Sequence, residues 1–295
     1  MRWLPPDEGS PPVSSDLVRI IFDTLSIASI LVLLVMGMAV IVGMMRIFNL
    51  CQGELVLLGA VTALLCHTFF HSVLLGIVLA PIVVGLFGSL LERLVIRRFY
   101  ANPAGALLAT FAVGFVIREV VRAMMTSQGA PVPAPIPGSV DILGAGVSAW
   151  RVVIMIVTVL VVVISFLTLS RSSLGLKVRA TLDNRELAEA TGISTSRMFA
   201  GTYALGAGLA GFAGALIVPL LTLYPDIGLD NLVPMFIAVM VGGLGTFEGP
   251  LLGALALGIP VGLMPAIIGP VFAQVVVILG AIVFMRLRPQ GLISR

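Results

Sequence analysis

Long apolar runs separated by short polar clusters organise this chain. Residues 24–45, 99–117, 152–170 and 231–247 contain no Asp, Glu, Lys or Arg, and each is about the 20 residues that a helix needs to cross the hydrocarbon of a bilayer. Residues 55–91 and 251–285 are uncharged for roughly twice that length, which predicts two crossings joined by a tight turn in each. Residues 198–225 hold one more crossing and an external segment. The pattern predicts eight crossings, or nine if residues 53–70 pass through rather than dip in and return, since irregular backbone inside a membrane survives only where protein or water satisfies it.

Composition turns these runs from buried core into membrane spans. Hydrophobic residues make up 59% of the 295 positions, charged residues 11%, and the mean hydropathy is +1.16, which no water-facing shell could sustain. Membrane strands would alternate apolar and polar positions, whereas these runs are apolar all round. The expected fold is therefore all-α, a polytopic helical bundle. Residues 1–23, with Pro5, Pro6, Pro11 and Pro12, form an expected polar amino-terminal segment that shows no signal-peptide pattern. Residues 24–295 form one transmembrane domain, with residues 171–197 as its longest polar loop. Cys51 and Cys66, if on one helix, lie about 22 Å apart, too far to bridge.

The net charge of +3 matters less than where the charges sit. Arg46, Arg93, Arg97, Arg98, Arg171, Lys177, Arg179, Arg185, Arg197, Arg286, Arg288 and Arg295 fall at helix ends that one topology places on a single side. No Lys or Arg occurs between Arg122 and Arg151 or between Arg197 and Arg286. The positive-inside rule makes the basic side cytoplasmic, together with the carboxyl terminus, and makes the Pro-rich stretch 127–138 external. Nine crossings put the amino terminus outside; eight put it inside.

The loop 171–197 carries a short helix signal. Asp183 is placed to cap a helix from Asn184 onward, Glu186 sits three residues later as in a capping box, and Gly192 supplies a left-handed stop. A helix of about two turns is not stable alone in water and needs something to pack on; Leu187, Ala188 and Thr191 give it a small apolar face. Charge alone leaves two readings: a solvated connector that fixes topology, or a docking element.

The run LGLKVRATLDNRELAEATGISTSRMFAGTYALGAGLAGFAGAL, from Leu174 through Leu216, resembles the cytoplasmic loop and following helix of branched-chain amino acid permeases of ATP-binding cassette importers. Similar agreement runs through NLCQGELVLLGA from Asn49, LERLVIRRFY from Leu91, VGGLGTFEGPLLGA from Val241 and RPQGL from Arg288. The resemblance implies that the loop is a coupling helix docking on a cytosolic ATPase, with Arg179, Asp183, Asn184, Arg185, Glu186, Glu189 and Gly192 as the coupling positions. It also implies pairing with a homologous permease subunit, two cytosolic ATPases that hold ATP and magnesium, an external solute-binding protein, and an inner-membrane location. Members commonly read Asn-Phe-Ala-His-Gly-Glu where this chain has Asn49-Leu50-Cys51-Gln52-Gly53-Glu54, so the imidazole is missing while Asn, Gly and Glu remain. Branched-chain amino acids are the first solute class implied; LERLVIRRFY and LLATFAVGF, from Leu107, resemble urea-type members at least as much.

The chain cannot hydrolyse ATP by the P-loop route, because its single lysine, Lys177, stands between Leu176 and Val178. No cofactor, catalytic residue or nucleic-acid interface is expected. His67 and His71, one turn apart, lack the further ligands that a metal needs. Carboxylates inside lipid are functional candidates, and glycine clusters break helices where transporters expose backbone. Asn49, Gln52, Gly53, Glu54, Gly242, Gly243, Gly245 and Gly249 are thus candidates for a translocation path or hinge. Glu54 and Glu248, both near expected cytoplasmic helix ends, read alternatively as interfacial carboxylates that pair with a nearby arginine and cap a helix. Arg118, Glu119 and Arg122 read as solvated anchors at an external helix end. Ala204, Gly208, Gly211 and Gly214 form a small-residue stripe for close helix contact. A secondary transporter or channel, working without ATPases, is the alternative from another class; it calls for ion-relay carboxylates, which are scarce here.

Overall fold

The computed structural model describes residues 13–45, 47–100, 102–125, 129–142, 145–243 and 246–293. Among the described residues, eight helices are long and apolar enough to cross a membrane: α1 (Val13–Met45), α2 (Gln52–Phe70), α3 (Val73–Leu94), α4 (Pro103–Met124), α5 (Ala149–Arg171), α8 (Thr195–Ile217), α10 (Glu248–Ile268) and α11 (Pro270–Leu287). Between them lie three shorter ones, α6 (Ser173–Asp183), α7 (Arg185–Ala190) and α9 (Ile227–Gly242). Residues 53–70, expected as a dip or a crossing, form the unbroken helix α2, and the short member of the set is α9 with 16 residues and an internal Pro234. The amino-terminal boundary also moves. Helix α1 is already formed at Val13, the first described residue, and Asp23, a charge in its course, is ion-paired with Arg151 at the head of α5.

The bundle is built on α1 and α8. Helix α8 packs against α1, α2 and α3, while α1 also packs on α5, α9 and α10; α11 lies outside α10. Small residues allow this closeness, since helices in lipid associate through packing rather than hydrophobicity. A methyl at Gly214 of α8 would lie 1.9 Å from the Val56 carbonyl of α2, and one at Gly208 would lie 2.8 Å from the Pro81 carbonyl of α3. The predicted stripe is therefore the seam of α8, with Gly206 adding a contact to Gly37 of α1. The outward sides of α3, α5 and α11 expose large apolar side chains such as Leu86, Ile164 and Phe272, as lipid-facing surfaces do.

The two faces of the bundle follow from chain contacts. Gly43 near the end of α1 lies against Thr246 before α10, and Gly243 after α9 lies against Gly291. These ends share one face with the loop of α6 and α7, and that face carries Arg93, Arg97, Arg98, Arg171, Lys177, Arg197, Arg286 and Arg288. The start of α1 is on the opposite face, where Asp23 meets Arg151. On that opposite face the all-helical expectation is amended by two small antiparallel strand pairs. Strand β1 (Ala130–Pro131) pairs with β4 (Thr222–Leu223), and β2 (Ser139–Ile142) pairs with β3 (Ala145–Ser148) in the register Val140 to Val147. They satisfy backbone groups in loops that sequence periodicity left unstructured. Trp150, fully buried at the first turn of α5, donates its indole N–H to the Leu216 carbonyl at 3.0 Å and fixes α5 to the end of α8.

Candidate functional site

Two groups of residues carry the candidate chemistry, one on the basic face and one inside the bundle. On the basic face, the chain leaves α5 at Ser172, whose hydroxyl accepts from the Gly175 N–H at 3.3 Å and starts α6. Helix α6 carries Arg179 and ends at Asp183, so the expected cap at Asp183 is corrected by one residue. Asn184 is extended and its Oδ1 accepts the Leu187 N–H at 3.0 Å, starting α7 at Arg185. With the cap displaced, Glu186 no longer stands three residues beyond it, and the capping box does not form.

Helix α7 closes as the glycine predicted. Gly192 has φ +84°, and its N–H reaches the Glu189 carbonyl while Ile193 N–H reaches the Ala188 carbonyl, both at 3.0 Å. This is the paired hydrogen-bond stop that a left-handed residue permits. Thr195, the first residue of α8, donates its hydroxyl to Glu189 Oε1 at 2.5 Å, so the short helix is tied to the central helix of the bundle. Ala188 is buried against the protein, whereas Asn184, Glu186 and Leu187 are exposed, Leu187 by 62%. The loop is thus two capped helices presenting an apolar residue between polar ones.

Inside the bundle, the segment before α2 is held by its own polar side chains. Asn49 Oδ1 accepts from the Cys51 N–H at 3.0 Å, its Nδ2 donates to Gln52 Oε1 at 3.3 Å, and the Leu50 N–H donates to Thr110 Oγ1 of α4 at 3.2 Å. Asn49, Gln52 and Thr110 are fully buried. Such backbone is tolerated at membrane depth because protein satisfies it.

The depth of this segment corrects the expectation that Glu54 lies near a cytoplasmic helix end. Gly114, halfway along α4, faces Cys51 and the Glu54 Cγ, and Gly37 of α1 is flanked by the Gln52 amide and by Gly206, halfway along α8. Residues 47–51 therefore carry the chain back from the basic face, and α2 begins near the middle of the bundle. Helix α9 begins beside it: a methyl at Gly53 would lie 2.2 Å from the Gly228 carbonyl. Two helix N-termini, each a partial positive charge, meet there.

Around this meeting point is an ion cluster, three of whose members, Arg118, Glu119 and Arg122, were expected in solvent. Arg118, read as a snorkelling anchor, is buried, with its guanidinium 3.7 Å from Glu54 Oε1 and 3.8 Å from Asp226 Oδ1. Arg122 bonds both Glu119 and Asp226 at 2.6 Å. The cluster grades from half-exposed Glu119, Arg122 and Asp226 to buried Arg118 and Glu54. Sequence reasoning missed Asp226 and Thr110 because each acts through a partner far away in the chain.

The residues expected at a path or hinge divide between two places. Asn49, Gln52, Gly53 and Glu54 belong to the inner site. Gly242, Gly243 and Gly249 cluster at the basic face, where Gly242 lies against the Gly249 carbonyl and Gly243, at φ +102°, lies against Gln290 and Ile293. From Gly228 to Gly242 the helix rises about 21 Å, so the two groups are separate. Glu248 is exposed in the first turn of α10, and Gly245 lies outside the described residues. Among the described residues no cluster of His, Cys, Asp and Glu could hold a metal ion.

Comparison with known proteins matches this sequence to transport proteins. The high-affinity branched-chain amino acid transport system permease protein BraD of Pseudomonas aeruginosa is 26% identical over 92% of this chain and 94% of its own length. The LivH permease proteins of Salmonella typhimurium and Escherichia coli are 26% and 25% identical, each over 93% of this chain and 94% of their own. No solved structure matches the chain. The family model described as branched-chain amino acid transport system / permease component matches residues 20–286, nearly the whole membrane bundle, and the chain belongs to that family.

Proposed function

We propose that the chain is the membrane-spanning permease subunit of an ATP-binding cassette importer for branched-chain amino acids. The observation that carries the coupling role is the α6–α7 unit: two capped helices on the basic face, tied to α8 through Glu189 and Thr195, with Leu187 exposed between polar neighbours. A six-residue helix needs tertiary support to persist, and an apolar side chain held out on such a support is a docking feature for a cytosolic partner. The relatives, named as branched-chain amino acid permeases and covering nearly the whole chain, support the solute class.

In this reading the basic face is cytoplasmic, together with the turn at Gly291, and the location is a bacterial inner membrane. The subunit pairs with itself or a homologous permease, two ATPases supply ATP and magnesium, and an external binding protein delivers solute to the opposite face. Closure of the ATPases moves α7, and through Thr195 it moves α8, the helix on which α1, α2 and α3 pack. The test is leucine uptake into proteoliposomes containing the permease and its ATPases. Uptake that requires ATP and is lost in Leu187→Asp supports the reading. Uptake that proceeds without the ATPases overturns it, and urea uptake in place of leucine reassigns the solute.

A further inference from the structure

We propose that Glu54 and Arg118 form a binding site for a zwitterionic amino acid midway through the bundle, the carboxylate of Glu54 taking the solute ammonium and the guanidinium of Arg118 its carboxylate. The inference rests on the importer reading above and deepens it.

The pair is not arranged as a finished salt bridge. Its 3.7 Å separation, like the 3.8 Å from Arg118 to Asp226, exceeds the roughly 2.7–2.9 Å of a charge-assisted hydrogen bond. Glu54 Oε2 and Arg118 Nε are both buried, and neither has a hydrogen-bond partner among the described residues. A buried charge is retained in a membrane protein when it is paired, hydrogen-bonded or functional. The open acceptor and the open donor belong to two side chains whose other polar atoms lie 3.7 Å apart. A free α-amino acid carries one group for each and adds no net charge to the interior.

The surroundings fit the same chemistry. Helices α2 and α9 both begin at this level, and helix N-termini that meet inside a bundle favour an anionic substrate group. Gly53 and Gly228 bring those N-termini into backbone contact, and a methyl at Gly228 would lie 2.8 Å from Glu54 Oε2, so glycine keeps that oxygen uncrowded. Access is graded as well. Arg122 and Asp226 are half-exposed, Arg122 in the last turn of α4, which ends opposite the basic face, and buried Arg118 precedes it by one helical turn. Charged side chains thus follow one another from Arg122 and Asp226 to Arg118 and Glu54.

The test uses the complete complex in proteoliposomes with radiolabelled leucine, and compares Glu54→Gln, Arg118→Gln and the double substitution. Removing one charge-assisted contact is expected to lower leucine uptake about tenfold or more, measured on variants that still assemble with the ATPases. The double variant separates binding from structure, because it leaves no unpaired buried charge. A merely structural ion pair is replaceable by neutral groups, so the double variant would then recover uptake; a binding pair leaves it at least as impaired as the singles. Recovery in the double variant, or unaltered uptake in both singles, overturns the site. A wild-type complex that fails to take up leucine overturns the importer assignment itself, a result visible before any variant is compared.

Discussion

Gly59 of α2 and Gly211 of α8 cross so closely that a methyl on Gly59 would lie 1.9 Å from the Gly211 carbonyl. No side-chain rotation relieves that approach, because the opposing atom is backbone. Gly59→Ala is expected to destabilise the bundle by about 1–3 kcal/mol as the helices are forced apart. Gly201, on the same helix α8, has nothing within 4 Å of its would-be methyl and is exposed, so Gly201→Ala serves as the tolerated control. Thermal unfolding of the two variants in detergent should separate them; equal midpoints would contradict the close crossing.

The hydrogen bond from Trp150 to Leu216 is buried, and its loss leaves a carbonyl without its partner. Trp150→Phe keeps most of the ring and is expected to cost about 1 kcal/mol. The readout is a lowered unfolding midpoint without loss of monodispersity. An unchanged midpoint would show that α5 is held to α8 by packing alone.

Asn184→Ala removes the side-chain acceptor that starts α7, a loss of about 1 kcal/mol for a capping residue. Against a helix of six residues this is a large share of the available stability. Amide exchange in residues 185–190 should accelerate while exchange in α1 stays unchanged. Uniform protection across both would show that α7 is held by its contacts to α8 without need of its cap.

Tyr224 lies in the connection between α8 and α9, where its hydroxyl donates to Asp230 Oδ2 at 2.8 Å. Partial burial, the hydrogen bond to Asp230 and the charges of Asp230 and Asp226 push its phenol up to about 12. The protonated form is thus favoured by the fold, so its stabilising effect is complete below pH 10 and fades between about pH 10 and 12. Absorbance titration of wild type minus Tyr224→Phe should show a phenol ionising late, and Asp230→Asn should bring it earlier. A difference curve centred at 10 would remove the interaction.

Apolar run length was enough to find every long helix, because crossing a bilayer imposes a length on the sequence that no tertiary contact overrides. Gly192 was legible for a similar reason, since only glycine holds φ +84° without strain at a helix stop. Asp183 and Asn184 were harder. Both are good capping residues, and the choice depended on where α6 ends, which its weakly apolar sequence does not declare. Depth was illegible. The run from Gln52 shows that a helix forms, yet only the contacts of Gly114 and Gly37 show where it begins. Arg118 read as a solvated anchor because an arginine two turns from a helix end normally reaches water. Its burial depends on Asp226, brought in by a loop more than a hundred positions away, and no local pattern encodes that meeting.

The carbonyls of Val241 and Gly242, at the end of α9, accept hydrogen bonds from the N–H groups of Leu292 and Ile293, at 2.9 and 3.1 Å. The ribosome delivers these donors only after α10 and α11 have been made. Until then α9 has an open lower edge while two more helices are inserted beside it. Its final seating is thus a late event in biogenesis, and a nascent chain stalled between α11 and Leu292 would present the insertion machinery with a bundle whose shortest membrane helix is still unlatched.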